Sequence, residues 1–186
     1  MSEGARGQRH ERGLLDALEA RQPEVFDADV WRCTLRGRDP LEPSSAAGRW
    51  SRSGEGLTLY TSVERDGAVA EVGYRLSLEP VWPSRVEHVV HRIHARTRRS
   101  LRFPDVASLV PFGIDAARHS SFDYSATQAL AAAARFLDVD SLIVPTARSP
   151  SRHVVIFLPE TTAAEALTLI DSETVDWKAW RRARSA

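Results

Sequence analysis

Between Val30 and Ile170, short strand-forming runs are interleaved irregularly with helical ones, and that order restricts the chain to a mixed α+β fold. Leu57, Leu59, Thr61 and Val63 alternate with Thr58, Tyr60 and Ser62, which predicts a strand. Val30–Leu35 and the β-branched run Val86–Ala95 predict two more. Leu142–Val144, His153–Leu158 and Leu167–Ile170 predict short strands late in the chain. Between them the alanine-rich stretch Ser125–Leu137, with Ser125 as its cap, predicts a helix. Asp66 is placed to cap another over Gly67–Tyr74, and Leu14, Leu15 and Leu18 stripe a short helix that ends before Pro23. A doubly wound sheet needs regular strand–helix alternation, which this order lacks.

The stretch Arg36–Gly56 is rich in Gly, Ser, Pro and Arg and predicts a long loop, of the kind that is usually functional or disordered. Phe103–Asp115, with Pro104, Pro111 and Gly113, predicts turns and one helical turn. A chain of 186 residues suits one core, with no linker or repeat to divide it. The expected organisation is an N-terminal arm and short helix over 1–28, a single compact domain over 29–172, and a basic tail over 173–186, either helical or frayed.

Charge and cysteine content narrow the function. With 25 basic and 25 acidic residues there is no global field drawing the chain to nucleic acid. The arginines at 96, 98 and 99 and at 181, 182 and 184 are expected to be solvated, and direct nucleic-acid binding is not expected. No apolar run spans a membrane, and the polar start Met1–Arg12 does not have the form of a signal peptide. The lone Cys33 forms no internal disulfide, which suits a reducing cytoplasm, and its place in a strand predicts a packed thiol. His88, His91 and His94 have a spacing that a helix would turn into a metal site. Their β-branched neighbours favour a strand, where His91 points away from the other two, and no metal is expected. Neither a phosphate-loop motif, a dinucleotide fingerprint nor a serine-hydrolase elbow occurs.

What remains is an ordered set of segments: Val30-Trp31-Arg32, Gly48-Arg49-Trp50, Leu59-Tyr60-Thr61-Ser62, Ala70-Glu71-Val72, Thr127-Gln128-Ala129-Leu130-Ala131, Val144-Pro145-Thr146-Ala147-Arg148 and Val154-Val155-Ile156-Phe157. In order and spacing this set resembles the RES domain family, over about residues 29–172. The resemblance implies an ADP-ribosyltransferase-like fold, with mixed or antiparallel sheets and flanking helices. It also implies cleavage of NAD at the nicotinamide–ribose bond, by a glycohydrolase or a phosphorylase that acts as the toxin of a toxin–antitoxin pair. NAD is then a substrate, with phosphate as a co-substrate in the phosphorylase case, and no prosthetic group is implied. The implied partner is an Xre-type helix-turn-helix antitoxin, and the implied assembly is a homo-oligomer or a toxin–antitoxin hetero-oligomer. The alternatives are an ADP-ribosyltransferase acting on a macromolecule and a non-catalytic nucleotide-binding module.

Carried over position by position, Arg32 and Arg49 match the family's arginines, Tyr60 its tyrosine and Glu71 its glutamate. Thr146 stands where serine is usual, Ser51 where asparagine is frequent and Ser141 where glycine is common. The chemistry of these residue types suits the task. Guanidinium groups fork onto a pyrophosphate, and Arg32 and Arg49 are candidates to converge on one pocket, although each by itself is equally an ordinary surface arginine. Nicotinamide leaves without a proton, so the group required is a carboxylate that stabilises the ribosyl cation. Glu71, among Ala68, Val69, Ala70 and Val72, either faces solvent or serves that purpose. Tyr60 offers a ring to stack on nicotinamide, Thr146 a hydroxyl, and Gln128 either an amide toward the nucleotide or a helix cap. Trp50 packs either under the nucleotide or in the core, the second being the commoner fate of a tryptophan.

Overall fold

The computed structural model describes residues 11–147, 150–158 and 167–185. Residues 1–10 of the expected N-terminal arm and Arg148 of the sixth segment lie outside them. Among the described residues four α-helices, α1 (Arg12–Glu19), α2 (Arg65–Ser77), α3 (Ser125–Phe136) and α4 (Trp177–Ser185), flank six strands. These are β1 (Glu24–Leu35), β2 (Leu57–Ser62), β3 (His88–Arg102), β4 (Ser141–Pro145), β5 (Arg152–Leu158) and β6 (Leu167–Thr174). The single sheet runs β1-β2-β5-β4-β3-β6, and a long ladder between β1 and β3 turns the first five strands into a ring of pairings. Every pairing is antiparallel except β3–β4, and the crossover that a parallel pair requires is built from residues 103–140, α3 included. No described helix is long and apolar enough to cross a membrane.

Three strands outrun their sequence patterns. β1 begins at Glu24 rather than Val30, β3 continues through Arg102 rather than ending at Ala95, and β6 continues to Thr174 rather than Ile170. Charged residues that weaken strand propensity are here matched across the ladder. Arg102 pairs with Glu24 at 2.6 Å, Arg92 with Asp29 at 2.5 Å and Arg96 with Asp27 at 3.4 Å. His94 bridges Asp27 and Asp29, 3.0 Å from each. Arg98 and Arg99 stay in the strand because their backbone N–H groups both donate to the Asp140 carboxylate. The helix starts also shift. Glu64 and Tyr124 occupy the N-cap positions, while Asp66 lies in the first turn of α2 and Ser125 is the first residue of α3, where its hydroxyl donates to Asp123.

Alternation along β2 divides the core in two. Leu59 joins Val30, Ile93, Ile143 and Ile156 on one face of the sheet. Tyr60 packs on the other face with Trp50, Leu101, Leu130, Leu142 and Val155. The polar positions of β2 are therefore not a wet face, since Thr58 and Ser62 are buried much as Leu59 is. Alanines 131–134 let α3 lie close on the Tyr60 face, and α2 covers the same face farther along, over Trp31 and Cys33.

Candidate active site

Glu71 lies in the middle of α2, and its surroundings follow from how closely that helix approaches the sheet. At Gly67, one turn earlier, a β-carbon would collide with the Ser151 side chain. Glycine there lets the helix settle against the tip of the β4–β5 hairpin, where Ser151 donates to the Glu64 carboxylate. Thr146 is buried in the same hairpin, and its N–H donates to the Ser151 carbonyl at 3.2 Å. The helix thereby sets Glu71 beside His153, with Oε1 3.4 Å from the ring Nε2 and side-chain exposures of 22% and 14%. The other ring nitrogen, Nδ1, lies 3.2 Å from the Thr61 carbonyl oxygen and 3.5 Å from Ser62 Oγ. The sequence placed His153 only at the start of a strand. Its position opposite Ser62 in the β2–β5 register is what the one-dimensional pattern did not carry.

Arg49, Tyr60 and Gln128 meet at the end of the long loop. The Tyr60 hydroxyl accepts from the Trp50 N–H at 3.1 Å. Gln128 donates its amide to the carbonyls of Gly48 at 2.9 Å and Ser51 at 3.3 Å, and Thr127 donates to that of Arg49 at 2.6 Å. This clamp holds the Gly48–Ser51 turn and directs the Arg49 guanidinium to the carbonyls of His119 at 2.7 Å and Ser121 at 3.2 Å, over the Tyr124 ring. Burial pushes the Tyr60 phenol up, opposed by its bond to Trp50 and by nearby Arg135 and Arg75, so the ring stays neutral and able to donate. Trp50 is wholly buried in the core. Gln128→Ala is expected to remove both amide bonds and destabilise the protein by about 1–2 kcal/mol, measurable by urea denaturation.

Arg32 lies elsewhere. It shares the β1 face of Val30, opposite to that of Trp31, and donates to the carbonyls of Pro40 at 2.7 Å and Glu42 at 2.8 Å. It thus anchors the start of the long loop, while Arg49 is held at its end by other carbonyls. Burial lowers the Arg32 pKa, against the opposing pull of Asp39 and Glu42. Cys33 is a packed thiol, pushed up to about 12 by burial. His88, His91 and His94 are on a strand, as their neighbours predict. His88 accepts from the Trp177 indole at 3.2 Å, and His91 spans Thr34 at 3.0 Å and Ser172 at 2.7 Å. Among the described residues no cluster of metal-ligating side chains occurs. A cleft of about 370 Å³ between α2 and α4, lined by Tyr74, Trp82, Trp180 and Arg181, contains none of the predicted site residues.

Known proteins bear on this arrangement in three ways. The RES domain family matches residues 29–178. A protein of Mycobacterium tuberculosis named probable NAD(+) phosphorylase Rv3189 is 34% identical over 141 residues, which span 74% of this chain and 67% of that protein. The crystal structure of the M. tuberculosis MbcT–MbcA toxin–antitoxin complex contains a chain that superposes with a TM-score of 0.80, covering 95% of this chain and 99% of that one at 20% identity. That likeness confirms the α+β fold expected from the order of strands and helices. On the family match and the identity to its relative, this chain is a member of the RES domain family.

Proposed function

We propose that this protein is an NAD-degrading toxin that cleaves the nicotinamide–ribose bond, and that phosphate is its acceptor. The observation that carries the reading is the Glu71 carboxylate, largely withdrawn from water and held against His153. It stands in a chain that shares a third of its aligned residues with a probable NAD(+) phosphorylase. When the bond breaks, its electron pair goes to the pyridinium nitrogen and neutralises it, so nicotinamide leaves without a proton. The positive charge passes to the ribose, where a carboxylate in a partly dehydrated setting stabilises it. An oxygen of hydrogen phosphate then bonds to the anomeric carbon, giving ADP-ribose 1-phosphate with no proton to remove, whereas water in that role must lose one. Arg49 is the candidate for the pyrophosphate, Tyr60 for the nicotinamide side, and Thr146 for a hydroxyl contact at the hairpin tip. Arg32 and Gln128 are assigned to the loop that carries Arg49.

The likeness to a chain solved in a toxin–antitoxin complex supports a partner that restrains the activity, and we assign that partner to the Xre helix-turn-helix class. The site of action is the cytoplasm, where NAD is abundant and Cys33 stays reduced. The test is NAD loss by purified protein with and without phosphate. Loss that depends on phosphate and yields ADP-ribose 1-phosphate is the expected result. Free ADP-ribose without phosphate makes the protein a glycohydrolase, label transferred to a macromolecule makes it an ADP-ribosyltransferase, and no loss leaves a binding module.

A further inference from the structure

We infer that His153 is a positioning residue that aims the Glu71 carboxylate. The inference rests on the reading of Glu71 as the group that stabilises the ribosyl cation. The ring stands on β5, which is paired on both sides, with His153 opposite Ser62 of β2 and Val144 of β4. A side chain on an interior strand has a fixed base. Its Nδ1 faces the Thr61 carbonyl at 3.2 Å, and a carbonyl can only accept, so in that bond Nδ1 is the donor. The Ser62 hydroxyl, 3.5 Å from the same nitrogen, adds a longer contact. With Nδ1 committed to β2, the ring plane is set and Nε2 is turned to Glu71 Oε1, 3.4 Å away.

Two acceptors then face the two ring nitrogens, one a backbone carbonyl and the other a carboxylate. Nε2 and Oε1 stand at ion-pair distance, so a protonated ring holds the carboxylate against it. Glu71 is the titratable group in contact with the ring from α2. The ring's other partners, Thr61 and Ser62, carry no charge. A glutamate on a helix has several free torsions, and a carboxylate that must first find its place gives up part of its advantage at the transition state. His153 removes that search, as the partner of a metal-bound or catalytic side chain does elsewhere. Thr61 and Ser62 belong to the strand that carries Tyr60, so one segment orients both the ring and the candidate tyrosine.

The test has an arm that needs no activity. In 15N-labelled protein at pH 7, the Nε2 resonance of His153 is expected to move on Glu71→Gln while Nδ1 keeps the shift of a protonated nitrogen. An Nε2 resonance that ignores the substitution overturns the pairing. In the kinetic arm, His153→Phe, which keeps a ring of similar size, is expected to lower kcat on NAD about 10–100-fold with KM changed less than about threefold. His153→Gln, whose amide N–H can reach Glu71, recovers most of that loss. A wild-type kcat in the His153→Phe variant, or a His153→Gln variant no better than His153→Phe at equal thermal stability, overturns the positioning role. A wild-type protein that consumes no NAD sinks the assignment of the reaction, and the resonance arm still decides whether histidine and glutamate are joined.

Discussion

Glu71→Gln is expected to lower kcat on NAD by about 10²–10³-fold while leaving the melting temperature nearly unchanged. The substitution keeps the size and nearly the shape of the side chain, removes its charge and turns one acceptor oxygen into an amide donor. Charge is the property that the reaction uses, because the ribose becomes positive as nicotinamide departs and no proton transfer is needed to help it leave. A single carboxylate can therefore dominate the barrier, whereas glycoside hydrolysis divides the work between two. Glu71 is partly shielded from water, which strengthens its field at short range, and its Oε1 lies 3.4 Å from His153 Nε2. Loss confined to kcat marks a group used at the transition state, and an equal rise in KM would mark one used for binding. Steady-state kinetics with calorimetric melting decides between these. A Glu71→Gln protein that turns over NAD at the wild-type rate sinks the assignment.

The element types were legible in the sequence, because apolar alternation and alanine content survive in one dimension. Leu57–Ser62 and Ser125–Phe136 are the clearest cases. What was not legible depends on partners distant in the chain. Glu24, Asp27 and Asp29 look unfavourable for a strand until Arg102, Arg96, Arg92 and His94 are set across from them. The same limit applies to the site. Residue types pointed to Arg32 and Arg49 as candidates for one pocket, yet they are anchored at the two ends of the long loop by different carbonyls. By residue type Gln128 suits a nucleotide contact or a cap alike, and only the assembled loop shows its amide securing the turn that carries Arg49. His153 had no motif at all. Its role emerges only when β2, β5 and α2 are assembled, since β2 and α2 supply the neighbours of a ring that β5 carries.

Trp50→Ala is expected to destabilise the protein by about 3–5 kcal/mol, a fall in Tm of roughly 6–20 °C for a chain of this size. The indole is wholly buried among Leu130, Leu142, Val155 and Phe157, and a methyl group leaves a cavity that the alanine-rich α3 and the paired strands cannot close. Trp50→Phe is expected to cost far less than alanine, for a reason specific to this site. Among the described residues the indole Nε1 is buried with no hydrogen-bond partner, so phenylalanine gives up volume but also removes a donor whose desolvation is uncompensated. The two variants also separate stability from function. Trp50 follows Arg49 and donates its backbone N–H to Tyr60, so the emptied core of the alanine variant loosens the turn that aims the guanidinium, and KM for NAD rises more than kcat falls. Phenylalanine keeps the turn seated and both constants near wild type. Denaturation and steady-state kinetics on the pair check both parts, and an alanine variant with native stability and an unchanged KM would show that the core beneath the turn has no part in holding Arg49.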